Sequence, residues 1–321
     1  MKTLLQSLLL ATFAMLSAVP GIADEKFVAV TQIVEHPALD SVREGVKDAL
    51  KEQGFEQGKN LRWMYESAQG NPTIAAQIAK KLAGAEPDVI VAIATPSAQT
   101  VAATAKHTPI VFSAVTDPVG AKLVKQLKQP GKNITGVTDS SPIDKHVDLM
   151  LDIVPDTKTI GTIYNPGEAN SVTLVKMLEA SSGKKSIKLK KAAATKTADV
   201  LAAARSLAGK VDVIYLPTDN TVISALEAVV KVCRQNKIPL VAGDTDSVSR
   251  GAVAALSFNY YDIGKQTGRV VAQILNGTAP GSIDVRGIEN LDLHLNLKSA
   301  RQMGVTLSRS LRDRASKVIE D

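Results

Sequence analysis

Cysteine is almost absent: the chain holds one, Cys233, in 321 residues. A lone thiol cannot form an internal disulfide, so burial has to stabilise the fold. Its helical spacing from Leu226, Val229 and Val230 makes it a core residue. Aromatic residues are scarce as well, at 3%, with Trp63 the single tryptophan. That speaks against a cleft that sandwiches a large sugar between rings. The four histidines, His36, His107, His146 and His294, show no metal-ligand spacing with one another, with Cys233 or with a carboxylate. No Gly-x-Ser-x-Gly elbow, phosphate-binding P-loop or Gly-x-Gly-x-x-Gly fingerprint occurs. The expectation is a chain with no catalytic residues, no metal and no cofactor.

The first long apolar run is also the last. Lys2 precedes a nearly unbroken apolar stretch from Leu4 to Val19, and Pro20-Gly21-Ile22-Ala23 supplies small residues ahead of Asp24-Glu25-Lys26. This reads as a signal peptide over residues 1–23, cleaved after Ala23, because the run is too short for a comfortable span. No cysteine stands at the cleavage point, so export without a lipid anchor, into the periplasm, is the expectation. The formal charge is +6, and its one local cluster is Lys184, Lys185, Lys188, Lys190 and Lys191. No aromatics interleave with these lysines, which reads as a solvated surface rather than a nucleic-acid site.

What the chain does contain, it contains twice. PDVIVAIATPSAQTVAATAKHTPIVFSAVTDPV from Pro87 and KVDVIYLPTDNTVISALEAVVKVCRQNKIPLVAGDTDSV from Lys210 share one order. In each an apolar β-branched run leads to a Thr/Pro pair, a helical stretch, a second apolar run and an Asp-containing loop. Phe27 and Thr159 begin a second, looser pair. Continuous β-branched runs such as Val89-Ile90-Val91-Ala92-Ile93 belong to parallel strands buried on both faces. Helical patterns alternate with them: Leu39 to Leu50, Thr73 to Leu82 after Asn71-Pro72, Ser97 to Ala105 after Pro96, Ser171 to Leu178, Ala198 to Leu207, Val222 to Asn236 and Tyr261 to Leu275. Leu291 to Leu297 alternates as a strand, and the charged tail after Thr306 reads as a peripheral helix. The fold class is α/β, two doubly wound Rossmann-like lobes with a cleft between them.

Ligands of open parallel sheets bind at the carboxyl ends of the strands. Here those ends are Gln32 to His36, Ala94 to Ser97, Ser113 to Asp117, Asn165 to Ser171, Pro217 to Asn220 and Gly243 to Asp246. Six loops of small hydroxyl, amide and carboxylate residues form a collective signal. Thr95-Pro96-Ser97 reads either as a helix cap or as a carboxylate site on a helix N-terminus. Asp244 and Asp246 read either as turn residues or as partners for a ligand ammonium, and Glu168 has the same two readings. His36, at a strand end, reads either as a ligand contact or, by preference, as an exposed residue at a helix start.

With these residues in view, the chain resembles a substrate-binding protein of an ABC importer, in the family that includes tryptophan- and other aromatic amino acid-binding components. The resemblance rests on Glu35-His36-Pro37-Ala38-Leu39-Asp40, Ala94-Thr95-Pro96-Ser97-Ala98-Gln99, Thr116-Asp117-Pro118-Val119, Asn165-Pro166-Gly167-Glu168-Ala169-Asn170-Ser171, Pro217-Thr218-Asp219-Asn220 and Gly243-Asp244-Thr245-Asp246. It implies a type I periplasmic-binding fold with a three-segment hinge, one lobe from residues 24–138 plus 259–287 and the other from 139–258 plus 288–321. It further implies a monomer that delivers a small amino acid, aromatic by family, to a membrane permease and its ATPase. Thr95, Ser97, Ala98 and Thr116 would grip the α-carboxylate and Asp244 the ammonium. Glu35, Ser113, Asn165, Glu168, Asn170, Ser171, Thr218, Asp219 and Asn220 would complete the ligand-binding set. The alternatives are a sugar or nucleoside receptor, and an exported hydrolase on the same scaffold built on a spatial pair such as His36 with Asp244. A sugar-responsive regulator would need a DNA-binding module where this chain has its export signal.

Overall fold

The computed structural model describes residues 25–288 and 290–320; the expected signal peptide lies outside them. The first sheet is built from β1 (Lys26–Gln32), β2 (Leu61–Ser67), β3 (Val89–Ile93), β4 (Ile110–Ser113) and β5 (Ile134–Thr138). Helices α1 (Pro37–Glu52), α2 (Pro72–Gly84) and α3 (Thr95–Thr104) connect the early strands. The chain then passes to the second sheet through α4 (Ile143–Ile153), β6 (Thr159–Tyr164), α5 (Ala169–Lys184), β7 (Lys188–Ala193), α6 (Val200–Leu207) and β8 (Val213–Leu216). It continues through α7 (Asn220–Ser224), α8 (Leu226–Asn236), β9 (Leu240–Ala242), α9 (Asp246–Ser249) and β10 (Ala254–Ser257). Helix α10 (Tyr260–Leu275) and β11 (Arg286–Gly287) return to the first sheet. The second sheet closes with β12 (Asp292–Asn296), α11 (Leu297–Gln302), α12 (Arg309–Asp313) and β13 (Lys317–Ile319).

The strand orders are β11-β5-β4-β3-β1-β2 and β13-β12-β10-β9-β8-β6-β7. Within each sheet the first five strands follow one pattern, in which the order reverses between the first and third strands. The sequence duplication is thus a duplication of topology. Among the described residues all strand pairs are parallel except β10 with β12. The β3 residues are all buried, as double coverage by helices requires. Each sheet carries its own apolar core, one around Val28, Ile90 and Val111, the other around Ile160, Ile214 and Val241. The chain crosses between the sheets after β5, after β10 and after β11. Among the described residues no helix is long and apolar enough to cross a membrane.

Local chemistry explains the helix boundaries. The Asn71 side chain accepts from the N–H groups of Thr73 (2.9 Å) and Ile74 (3.3 Å), and Pro72 opens α2 without losing a hydrogen bond. Helices α1 and α10 pack backbone to backbone. A Cβ on Gly45 would collide with the Tyr261 carbonyl, and one on Gly264 with the Val42 carbonyl. Lys188, Lys190 and Lys191 lie exposed on β7, the edge strand of its sheet, where charge discourages pairing with another chain.

Two expectations fail. The continuous helix from Val222 to Asn236 breaks at Ala225 (φ −116°, ψ 27°). Asp219 and Glu168 anchor the first turn at the cleft, whereas Leu226, Val229, Val230 and Cys233 draw α8 onto the core, and one straight axis cannot meet both demands. The charged tail forms the short α12 and then β13, which pairs with β12 and so covers the sheet edge.

Candidate functional site

Both sheets aim the carboxyl ends of their strands into one cavity between the lobes. The first lobe supplies His36, Ala38 and Leu39 at the start of α1, Ala94 and Thr95 at the start of α3, and Ala114 and Thr116 after β4. The second lobe supplies Asn170, Thr218, Asn220, Ile223 and Asp244. Asp139 and Tyr260, from the first two crossings, complete the wall.

The start of α3 has no side-chain cap. Ala94 precedes the helix with φ 72° and provides no side-chain cap, and Pro96 has no N–H to offer. The remaining N–H groups of the first turn carry the positive end of the helix dipole. Beside them the hydroxyls of Thr95 and Ser97 are buried and have no protein partner. The structure therefore rules out the reading in which Thr95 caps its own helix. Ala94 and Ala114 (φ 52°) both hold left-handed backbone, on the order of 1 kcal/mol of strain each, directly at the cavity.

Two buried carboxyls also line the cavity, Asp244 in the second lobe and Asp139 at the first crossing. Asp244 is 2% exposed and accepts from the Ser247 N–H (2.8 Å) and hydroxyl (2.7 Å). Asp139 is 3% exposed and accepts from the hydroxyls of Thr116 (3.1 Å) and Tyr260 (2.9 Å). Burial raises both carboxyls above the usual carboxylate range, and neither has a salt-bridge partner among the described residues. No Lys or Arg lines the cavity. Buried acids and a helix N-terminus in one cavity, with no Lys or Arg in its lining, are complementary to a zwitterion's ammonium and carboxylate.

Of the residues expected from sequence, Thr95, Thr116, Asn170, Thr218, Asn220 and Asp244 reach the cavity wall. The hydroxyl of Thr218 and Oδ1 of Asn170 are further buried atoms without protein partners. Other expected residues shape the loops instead. Glu168 accepts from the backbone N–H and side-chain amide of Asn220 (3.1 and 2.5 Å) and from the N–H and hydroxyl of Thr221 (3.0 and 2.7 Å). Asp219 accepts from the Asn165 N–H, the Ser171 hydroxyl and the Val222 N–H. Burial, and then the neighbouring Glu168 charge, push the Asp219 carboxyl up. The Asn165 amide donates to Thr221 Oγ1 (2.9 Å). This network fixes Asn220 at the cavity.

Ser97 and Ala98 lie buried behind the wall, the Ala98 N–H donating to the Ala94 carbonyl. Ser113 turns away to share a hydrogen bond with Thr267 (2.6 Å). Glu35 is exposed and accepts from the Tyr65 hydroxyl (3.2 Å). His36, expected exposed, is buried at the wall, where burial and then the Arg250 charge lower its pKa to about 3. Asp139 and Tyr260 went unread, because 121 positions separate them and only the crossings bring them together. Among the described residues no group of three His, Cys, Asp or Glu side chains is placed to hold a metal ion.

Comparison with known proteins identifies the family. A family model for ABC transporter substrate binding proteins matches residues 27–319. A tyrosine-binding protein of Clostridioides difficile is 37% identical over 272 residues, covering 85% of this chain and 79% of the relative. A Streptococcus pneumoniae ABC domain solved in complex with L-Trp is 33% identical, with TM-score 0.89 over 92% of this chain and 100% of that one. A ligand-free, open structure of a substrate binding protein with adhesive properties from Clostridium difficile is 37% identical. It covers the same shares, but its TM-score is 0.69.

Proposed function

The chain belongs to the ABC transporter substrate binding protein family, and from that premise we propose that it is an exported receptor for an aromatic amino acid, closing its two lobes on the ligand and presenting it to a membrane permease. The observation that carries the reading is the cavity itself: an uncapped helix start with an unpaired Thr95 hydroxyl faces the buried carboxylates Asp244 and Asp139. These meet the two charges of an amino acid. Ala38, Leu39 and Ile223 leave an apolar remainder for its side chain.

Two lobes, 24–138 with 259–287 and 139–258 with 288–321, would move as bodies about the three crossings. The shape comparison supports this. The TM-score to the L-Trp complex, 0.89, exceeds that to the ligand-free, open relative, 0.69, although the open relative is the more similar in sequence. Ligand that touches both lobes favours closure by its differential affinity. Micromolar binding requires about 8 kcal/mol, within reach of one ammonium–carboxylate pair, one helix-end site and modest apolar burial.

The site favours binding over catalysis. Both Asp244 oxygens are engaged by Ser247, and Nδ1 of His36 has no protein partner, so the two do not form an acid–base pair. A sugar receptor is disfavoured because no Trp or Phe lines the cavity. The mature protein would begin after Ala23, free of the membrane and monomeric.

Calorimetry with a panel of amino acids, sugars and nucleosides tests the proposal. L-Tyr or L-Trp should bind with a micromolar or tighter Kd, and the radius of gyration in solution scattering should fall on binding. Heat from a sugar or nucleoside, with none from any amino acid, would reject it.

A further inference from the structure

Of the titratable side chains at the cavity wall, Asp139, Asp244 and Tyr260 hydrogen-bond within the protein, but Nδ1 of His36 does not. His36 precedes α1 without capping it, and its side chain is 9% exposed. A neutral imidazole carries one donor and one acceptor, and leaving a buried one unused is unfavourable. A hydrogen-bonding group from outside the chain would satisfy this atom.

Its surroundings say which part of the ligand. Ala38 and Leu39 follow His36 on the same helix start, and all three line the cavity with Ile223 of the other lobe. The Ile223 carbonyl accepts from Arg250 (2.9 Å), the residue whose charge is felt at His36. His36 thus shares one helix start, and one stretch of the wall, with the apolar Ala38 and Leu39. Arg250 offers nothing to an acidic ligand side chain, because Glu227 already accepts two hydrogen bonds from it (2.8 and 2.9 Å).

We infer that His36 is the polar contact in the side-chain pocket, accepting a hydrogen bond from the phenol of tyrosine or the indole N–H of tryptophan, and that it sets a preference for these over phenylalanine. The inference rests on the amino-acid reading of the site. Indole can only donate, so it requires the tautomer with the proton on Nε2; phenol tolerates either. A charged side chain finds no free counter-charge there.

Calorimetry with L-Tyr, L-Trp and L-Phe on the full chain tests it. The wild type should bind L-Tyr or L-Trp at least about tenfold more tightly than L-Phe. His36→Leu should bring the three within about threefold and leave L-Phe nearly unchanged, since phenylalanine never used the imidazole. His36→Gln, which keeps a donor and an acceptor at a buried position, should retain part of the preference and serves if the leucine variant misfolds. A wild type that binds all three equally, or either variant keeping the full wild-type ratio, overturns the role of His36 alone. A wild type that binds none of the three overturns the amino-acid reading with it.

Discussion

Thr95 and Asp244 border one cavity from opposite lobes, Thr95 at the carboxyl end of β3 and Asp244 at that of β9. Each is unsatisfied in a complementary way. The Thr95 hydroxyl lacks any protein partner beside the positive end of a helix, and Asp244 is a buried carboxylate without a salt bridge among the described residues. A ligand carrying both charges relieves both deficits at once.

Asp244→Asn keeps the shape and the Ser247 contacts but removes the charge. Amino-acid affinity should fall by about 2–5 kcal/mol in calorimetry, the usual consequence of removing one member of a buried charge pair. The ligand-free variant should melt higher than wild type at neutral pH. Burial raises the folded-state pKa of Asp244, so its contribution is fully present below the unfolded value and is lost as pH rises through the folded one. The stability advantage of the variant should therefore grow upward from about pH 4, where the unfolded carboxyl titrates. An advantage that shrinks with rising pH would contradict this.

Thr95→Val is isosteric and deletes a hydroxyl that bonds nothing in the protein. Ligand-free stability should hold or rise in thermal melts. Affinity should fall about 10- to 100-fold, the worth of a hydrogen bond to a charged group. Loss of stability with unchanged affinity would show a structural role instead.

Gly264→Ala should cost about 1–3 kcal/mol in urea unfolding, because its new Cβ meets the Val42 carbonyl and the helices must separate. Gly84→Ala is the control: no atom lies within 4 Å of its added Cβ, and alanine suits a helix better. The control should be neutral or stabilising.

His146 shares a 2.6 Å hydrogen bond with Tyr215, both fully buried, and burial lowers its pKa from 6.5 to about 4. An imidazole held neutral in the fold gives stability that is present above its unfolded pKa and is lost as pH falls toward the folded one. His146→Leu should lose about 1–3 kcal/mol at neutral pH by orphaning the Tyr215 hydroxyl. Urea titrations should show the gap to wild type narrowing between pH 6.5 and 4. A gap that widens on acidification would reverse the assignment.

Where local chemistry decides, the chain is readable. The Asn71-Pro72 start of α2, the wholly apolar β3 and the core position of Cys233 follow from neighbours along the chain. The six strand-end loops were also legible, because parallel topology puts every such end on one side of its sheet. Within those loops the readings diverge. Glu168 and Thr95 belong to the same kind of polar loop, yet one holds Thr221 and Asn220 in place and the other faces the cavity unpaired. Nothing beside them in the chain distinguishes the two.

Sequence by itself determined the periodicities, the duplication and the helix starts, since these depend on interactions among residues a few positions apart. Tertiary structure alone decided that His36 is buried, that two alanines adopt left-handed backbone, and that Asp139 meets Tyr260 beneath the cleft. Those outcomes depend on which distant surfaces exclude water from one another, and no local preference encodes that.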